Sequence, residues 1–334
     1  MCIADSAQLL SRRGFFGSAL AAGAVLGVAD LGKSLLLPGV AEGAEAPAKN
    51  GGPGTSGVSF KWFGTDSWEI TFGNKTLLLD PWLSRTDAGI FSGKFNPKTP
   101  AKIEEAVIDQ HIKKADQILI GHGHYDHIAD VPYIAKKTGA TVIGSESHMN
   151  MLRAYGFPEA KLVPCRGGEF FQFDGYTIEV FRSLHSLQPT KKVPFAGRFL
   201  SVPTVPATIE DMPEGDSLIY MLTVGGKVSI FLMSTANFIE REIGGLQPDV
   251  ALVAPLGRGQ VPNFTARLMK AISYPKVILP THWDNWEKPL SDPPQDARNQ
   301  LGDAGSIDVF VKELKQVSPK SQVVTMNFLQ PFSP

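Results

Sequence analysis

The sequence predicts an α/β fold: two antiparallel-dominated sheets packed face to face with helices outside, a four-layer αββα sandwich. Three observations predict it. Each half of the chain, before and after about residue 205, opens with hairpins and continues with β/α units. A length of 334 residues with 43% hydrophobic content supplies the core of one large domain. Gly 33 and Pro 25 provide the many turns that such short elements need.

The elements follow in order. Ser59–Phe63, Ser67–Phe72 and Thr76–Asp80 read as β-type runs, the last two joined across Gly73-Asn74-Lys75 as a hairpin. Ala101–Lys114 has helical spacing, with Ile103, Val107 and Ile112 apolar. Gln117–Ile120 reads as a buried strand running into Gly121-His122-Gly123-His124. A helix from about Ala129, a strand at Thr141–Ile143 and a helix at Ser147–Tyr155 continue the alternation. Two further hairpins are expected, Glu169–Phe173 with Tyr176–Phe181 and Leu218–Thr223 with Lys227–Met233. Strand Val250–Val253, helix Asn263–Ile272, strand Lys276–Leu279, helix Ile307–Gln316 and strand Gln322–Phe328 complete the order.

Charge excludes some functions. With 32 Lys+Arg against 33 Asp+Glu, the chain has no electrostatic footprint for nucleic acid. Two cysteines, Cys2 and Cys165, exclude a disulfide scaffold and a multi-cysteine zinc ribbon. Residues 11–16 place Arg12-Arg13 ahead of a mildly apolar, small-residue stretch, which resembles a bacterial twin-arginine (Tat) export signal. Asp30 and Lys33 interrupt that stretch before it reaches the roughly 18 residues a membrane span needs. Ala44-Glu45-Ala46 and Ala46-Pro47-Ala48 are candidate cleavage sites. The expected organisation is a signal peptide at 1–46, a flexible linker at 47–57 and one large domain at 58–334. The mature chain would be periplasmic or extracellular, exported folded by the Tat machinery, without a stable membrane span and with one thiol, Cys165.

Three of the seven histidines fall in His122-Gly123-His124-Tyr125-Asp126-His127, directly after a strand. Residues two apart on an extended segment point the same way, so His122 and His124 can face one metal. The following turn lets Asp126 and His127 face a second position. Imidazole and carboxylate without thiolate suit Zn2+, with Mn2+ or Fe also compatible.

The chain here resembles the metallo-β-lactamase superfamily, whose signature is H-x-H-x-D-H after a strand. The stretch from Ser67-Trp68-Glu69-Ile70 to Leu77-Leu78-Leu79-Asp80-Pro81-Trp82-Leu83 resembles its L-ascorbate-6-phosphate lactonase-like branch. The resemblance implies the αββα sandwich of the metallo-β-lactamase type. It also implies that His122, His124 and His185 form a first metal site, and that Asp126, His127 and His282 supply a second. The family usually carries a bridging Asp at the end of a strand in the second half, and Thr235 stands at that position. A hydroxyl is neutral at pH 7 and replaces a carboxylate poorly. One metal, two metals bridged by Asp126 or hydroxide, or a degraded site all remain open, and Asn237 or Asp284 could reach the site instead.

Other residues carry weaker signals. Asp80 either accepts a hydrogen bond from a ligand histidine or closes a strand-end turn. His148 reads as a surface or capping residue, His111 as solvated and Cys165 as a small buried side chain. Trp283 and Trp286 line a pocket or pack in the core, and Arg258 is a candidate anion contact. Residues 187–216 form a Pro-rich segment after His185 with Lys191, Lys192, Phe195, Arg198 and Phe199, either a lid or a plain crossover. The expected activity is metal-dependent hydrolysis of an ester, lactone or phosphodiester in a small molecule, with Asp126 as the catalytic carboxylate. A mononuclear-iron oxidoreductase and a non-catalytic metal-binding protein are the alternatives.

Overall fold

The computed structural model describes residues 57–297 and 302–334; the expected signal peptide and all of the expected linker but Gly57 lie outside them. The first half builds one sheet from β1 (Val58–Trp62), β2 (Trp68–Phe72), β3 (Lys75–Leu79), β4 (Gln117–Leu119), β5 (Thr141–Ser145) and β6 (Leu162–Cys165). The second half builds the other from β7 (Phe170–Phe173), β8 (Tyr176–Arg182), β9 (Leu218–Val224), β10 (Val228–Met233), β11 (Val250–Val253), β12 (Val277–Pro280) and β13 (Gln322–Val323). The chain end, β14 (Pro331–Phe332), returns to pair with β1 in the first sheet. The two orders, β14-β1-β2-β3-β4-β5-β6 and β13-β12-β11-β10-β9-β8-β7, repeat one plan. Antiparallel hairpins form one side of each sheet, and parallel strands follow from β3 and from β10.

Burial explains the plan. β1 and β2 alternate buried with half-buried residues, the pattern of a strand with one wet face. Every residue of β4, β11 and β12 is buried, as strands covered on both faces must be. The sheets meet face to face: the Tyr220 hydroxyl on β9 donates to the Ile120 carbonyl beyond β4, and Trp68 Nε1 on β2 donates to Thr281 Oγ1 beyond β12.

Among the described residues the α-helices are α1 (Glu105–His111), α2 (Tyr125–Ile128), α3 (Val131–Thr138), α4 (Glu146–Ala154), α5 (Glu240–Ile243), α6 (Phe264–Ala271) and α7 (Ile307–Val317). Local chemistry starts and stops them. α3 carries Pro132 in its first turn and ends at Gly139 with φ 70°. α7 is capped by Ser306, which accepts from the Val309 amide, and buries Ile307, Phe310 and Leu314 along one face. Among the described residues, no helix is long and apolar enough to cross a membrane.

Four expectations change. The sheets, expected to be antiparallel-dominated, are evenly mixed, with as many parallel as antiparallel pairings in each. The helix expected over 101–114 is confined to Glu105–His111. The last strand pairs only at Gln322–Val323, because the chain then leaves the second sheet to reach β1. β6 was not expected; its Pro164 suits the sheet edge that it occupies.

Candidate metal centre

The site residues lie just beyond strand ends: Asp80 after β3, His122 after β4, His185 after β8, Thr235 after β10 and His282 after β12. Open α/β sheets place ligands at this edge. Gly121 leads into the histidine motif, and a Cβ there would lie 1.7 Å from Ser234 Oγ, so only glycine lets the two sheets approach here.

His122, His124 and His185 each offer a ring nitrogen, and the three atoms lie within 4.8 Å of one another. All three side chains are buried. Burial, with the neighbouring imidazoles, pushes His122 and His185 well down, and burial pushes His124 down to about 4. Neutral imidazoles are the form that binds metal. His124 Nε2 lies 2.9 Å from the Pro194 carbonyl and His185 Nδ1 2.8 Å from the Ser186 carbonyl, which fixes each ring's orientation.

The second group is adjacent, with His122 and His127 ring centroids 3.7 Å apart. Asp126 Oδ2 lies 3.6 Å from His127 Nε2 and 3.4 Å from His282 Nε2. Burial alone would push the Asp126 carboxyl up, but His127 and His282 outweigh it and hold it far below the carboxylate range. Burial likewise pushes His127 down, and the carboxylates of Asp126 and Asp80 more than reverse this. His122 Nδ1, His127 Nε2 and His282 Nδ1 are buried without hydrogen-bond partners. Buried orphan nitrogens clustered in this way fit a metal-binding site. The donor set, imidazoles with carboxylates, fits zinc-type metals.

The supporting residues resolve as follows. Asp80 is fully buried; its Oδ1 accepts from the Gly121 amide at 2.6 Å and its Oδ2 lies 2.9 Å from His127 Nδ1. It thereby orients a candidate ligand and anchors the strand end that carries the motif. Asp80→Ala is expected to weaken metal affinity about 10–100-fold, measured by competition with a chelator. Unchanged affinity would show that Asp80 only closes the turn.

Thr235 and Asn237 do not join the ligand groups. Thr235 Oγ1 donates to the Leu184 carbonyl at 2.8 Å and Asn237 Nδ2 to the His185 carbonyl at 3.1 Å, so both clamp the backbone that carries His185. Asp284 is also spent elsewhere: it accepts from the Thr65 amide at 2.9 Å and pairs with Arg85 at 2.7 Å. Arg258 is not an anion contact; it is buried against Glu313 at 3.0 Å and over the Phe310 ring. His148 is a cap, and a buried one: it exchanges hydrogen bonds with Ser145 at the start of α4. Trp283 packs in the core against Trp62, whereas Trp286 lies edge-on to His282 with centroids 5.0 Å apart. Cys165 is a free buried thiol, and His111 is half-buried.

The segment after His185 folds back over the motif. The Phe195 ring packs edge-on to His124 at 5.9 Å, and the Gly123 amide donates to the Glu214 carbonyl at 2.7 Å. Sequence reasoning missed one residue, Asp66, in the turn between β1 and β2. Its ligand atom lies within 4.8 Å of those of His127 and His282.

Two mixed sheets with a buried histidine–aspartate centre at their strand ends define the metallo-β-lactamase fold. The family model for the Metallo-beta-lactamase superfamily matches residues 60–191. The chain is 26% identical over 291 residues to a UPF0173 metal-dependent hydrolase of Myxococcus xanthus, covering 86% of each. It is 32% identical over 130 residues to one of Pyrobaculum arsenaticum, a match spanning 39% of this chain and 51% of that one. A metallo hydrolase from Ignicoccus hospitalis superimposes with a TM-score of 0.52 at 18% identity, covering 83% of this chain and 98% of that one. The chain thus shares the metallo-β-lactamase fold and is similar in sequence to metal-dependent hydrolases of that superfamily.

Proposed function

We propose that the protein hydrolyses an ester, lactone or phosphodiester bond of a small molecule with a metal-activated water. The observation that carries this reading is the trio of buried, neutral imidazoles beside a carboxylate held ionised, Asp126. When bound, a zinc-type cation lowers the pKa of its water from 15.7 to about 7 and polarises the attacked oxygen. His122, His124 and His185 would hold one cation; Asp126, His127 and His282 would serve a second position. Zn2+ suits this donor set, with Mn2+ or Fe as alternatives. Asp126 would orient the attacking water or accept its proton. The segment over His124, with Phe195 inward and Lys192 exposed, suits a substrate with an apolar and an anionic part.

The same proposal includes export. The Arg12-Arg13 signal would send residues 58–334 out of the cytoplasm already folded, with residues 1–46 removed. The test of the activity is a panel of lactones, aryl esters and phosphodiesters with protein of measured metal content. Turnover that a chelator abolishes and Zn2+ restores is the expected result. Fully metal-loaded protein that turns over none of the three classes would overturn it.

A further inference from the structure

Asp66 sits in the turn Gly64-Thr65-Asp66-Ser67, and the fold spends many bonds on aiming it. The Ser67 amide donates to the Gly64 carbonyl at 2.9 Å, closing the turn. Thr65 lies in the left-handed region, φ 49°, a costly conformation for a β-branched residue. It is held there from both sides. Its amide donates to Asp284, and its carbonyl accepts from Trp62 Nε1, Thr281 Oγ1 and the His282 amide. The next residue, Asp66, is 0% exposed, and neither of its carboxylate oxygens has a hydrogen-bond partner.

Burying a carboxylate without donors costs several kcal/mol unless a cation compensates. Burial, joined by the nearby Asp80 carboxylate, pushes the Asp66 carboxyl well up, although the adjacent Thr281 hydroxyl offsets part of this. That hydroxyl gives its proton to the Thr65 carbonyl. Two outcomes relieve the cost: Asp66 stays protonated, or it ligates a cation. The surroundings favour the second. His127 Nε2 and His282 Nδ1 are orphaned in the same cluster, and an Asp66 oxygen lies within 4.8 Å of a ring nitrogen from each. The strand end at Thr235 contributes no carboxylate, since its hydroxyl is bonded to Leu184.

We infer that Asp66 is a metal ligand, joining His127 and His282 to complete a second cation site beside the three-histidine site. The inference rests on the proposed metal chemistry of this centre, but metal counting tests it without turnover. The full chain, stripped with chelator, is titrated with Zn2+ and Co2+, and bound metal is counted by elemental analysis. Wild type is expected to bind two equivalents. Asp66→Asn, nearly isosteric, is expected to bind one, its second equivalent weakened at least 10-fold, whereas His185→Ala weakens the first.

Thermal melts separate ligation from a packing role. Stripped Asp66→Asn should melt no lower than stripped wild type, because it replaces a buried group that has no hydrogen-bond partner, and should lose part of the wild-type rise on metal addition. A stripped variant that melts well below wild type would make Asp66 structural. Two equivalents bound by Asp66→Asn at wild-type affinity, or one equivalent bound by wild type, would overturn the inference. Wild type that holds two metals and hydrolyses nothing would overturn the hydrolase reading and leave the Asp66 ligand standing.

Discussion

Asp126→Ala is expected to lower kcat/KM by at least about 10³-fold on whichever ester, lactone or phosphodiester proves to be the substrate. Proton transfer by a positioned carboxylate contributes typically about 10²–10⁴-fold, and here the same group also faces the second cation position. The geometry gives no substitute: Asp126 Oδ2 lies 3.4 Å from His282 Nε2 and 3.6 Å from His127 Nε2. Water occupying the space of the lost side chain would lack both the charge and the fixed position. The fold should survive, because the sheets are held by the Tyr220 and Trp68 bonds and by the apolar core rather than by this side chain. His124→Ala should be equally inactive and should also free the Pro194 carbonyl that its ring now meets. The check is kinetics on metal-saturated protein beside a far-UV spectrum and a melt. Full activity in both folded variants would remove Asp126 and His124 from the mechanism.

How far the sequence carried the reading depends on how local each feature is. His122, His124, Asp126 and His127 are four donors within six residues, and a strand followed by a turn is enough to converge them. His185 and His282 needed the resemblance, since nothing near either residue marks it as more than a histidine at a strand end. Both hairpin sets were legible from alternation and turn residues, and the observed register pairs them as expected. Asp66 was not legible. Its aim depends on the bond from the Thr65 amide to Asp284, 219 positions away, and on the His282 backbone. The roles of Thr235 and Asn237 were hidden for the same reason, since both reach back across about fifty positions to the His185 backbone.

Acidification of the metal-free protein is expected to destabilise it steeply from about pH 6.5 downward. Four histidines drive this. Burial holds His124 at about 4 and His148 at about 3, and places His122 and His185 well below their ordinary value. In the unfolded chain all four take up a proton near pH 6.5. Their contribution is therefore complete above pH 6.5 and is lost as the pH falls toward 4 and 3. Buried carboxyls oppose it, Glu214 among them, since burial raises its carboxyl as well. Burial raises Asp130 to about 6, even with the Ser84 hydroxyl and the Leu83 and Ser84 amides as donors, and raises Asp66 well up. These carboxyls bind protons in the folded state first, so they favour folding as the pH falls. The buried histidines outnumber the raised carboxyls, so the unfolded state takes up more protons below about pH 6.5 and stability falls with the pH. His148→Gln separates the causes. Glutamine can keep the exchange of bonds with Ser145 at the start of α4 but cannot titrate. Denaturant midpoints of stripped protein between pH 7 and 5 should fall for wild type and fall less steeply for His148→Gln. A flat or rising wild-type midpoint over that range would mean that these imidazoles are not held neutral by burial.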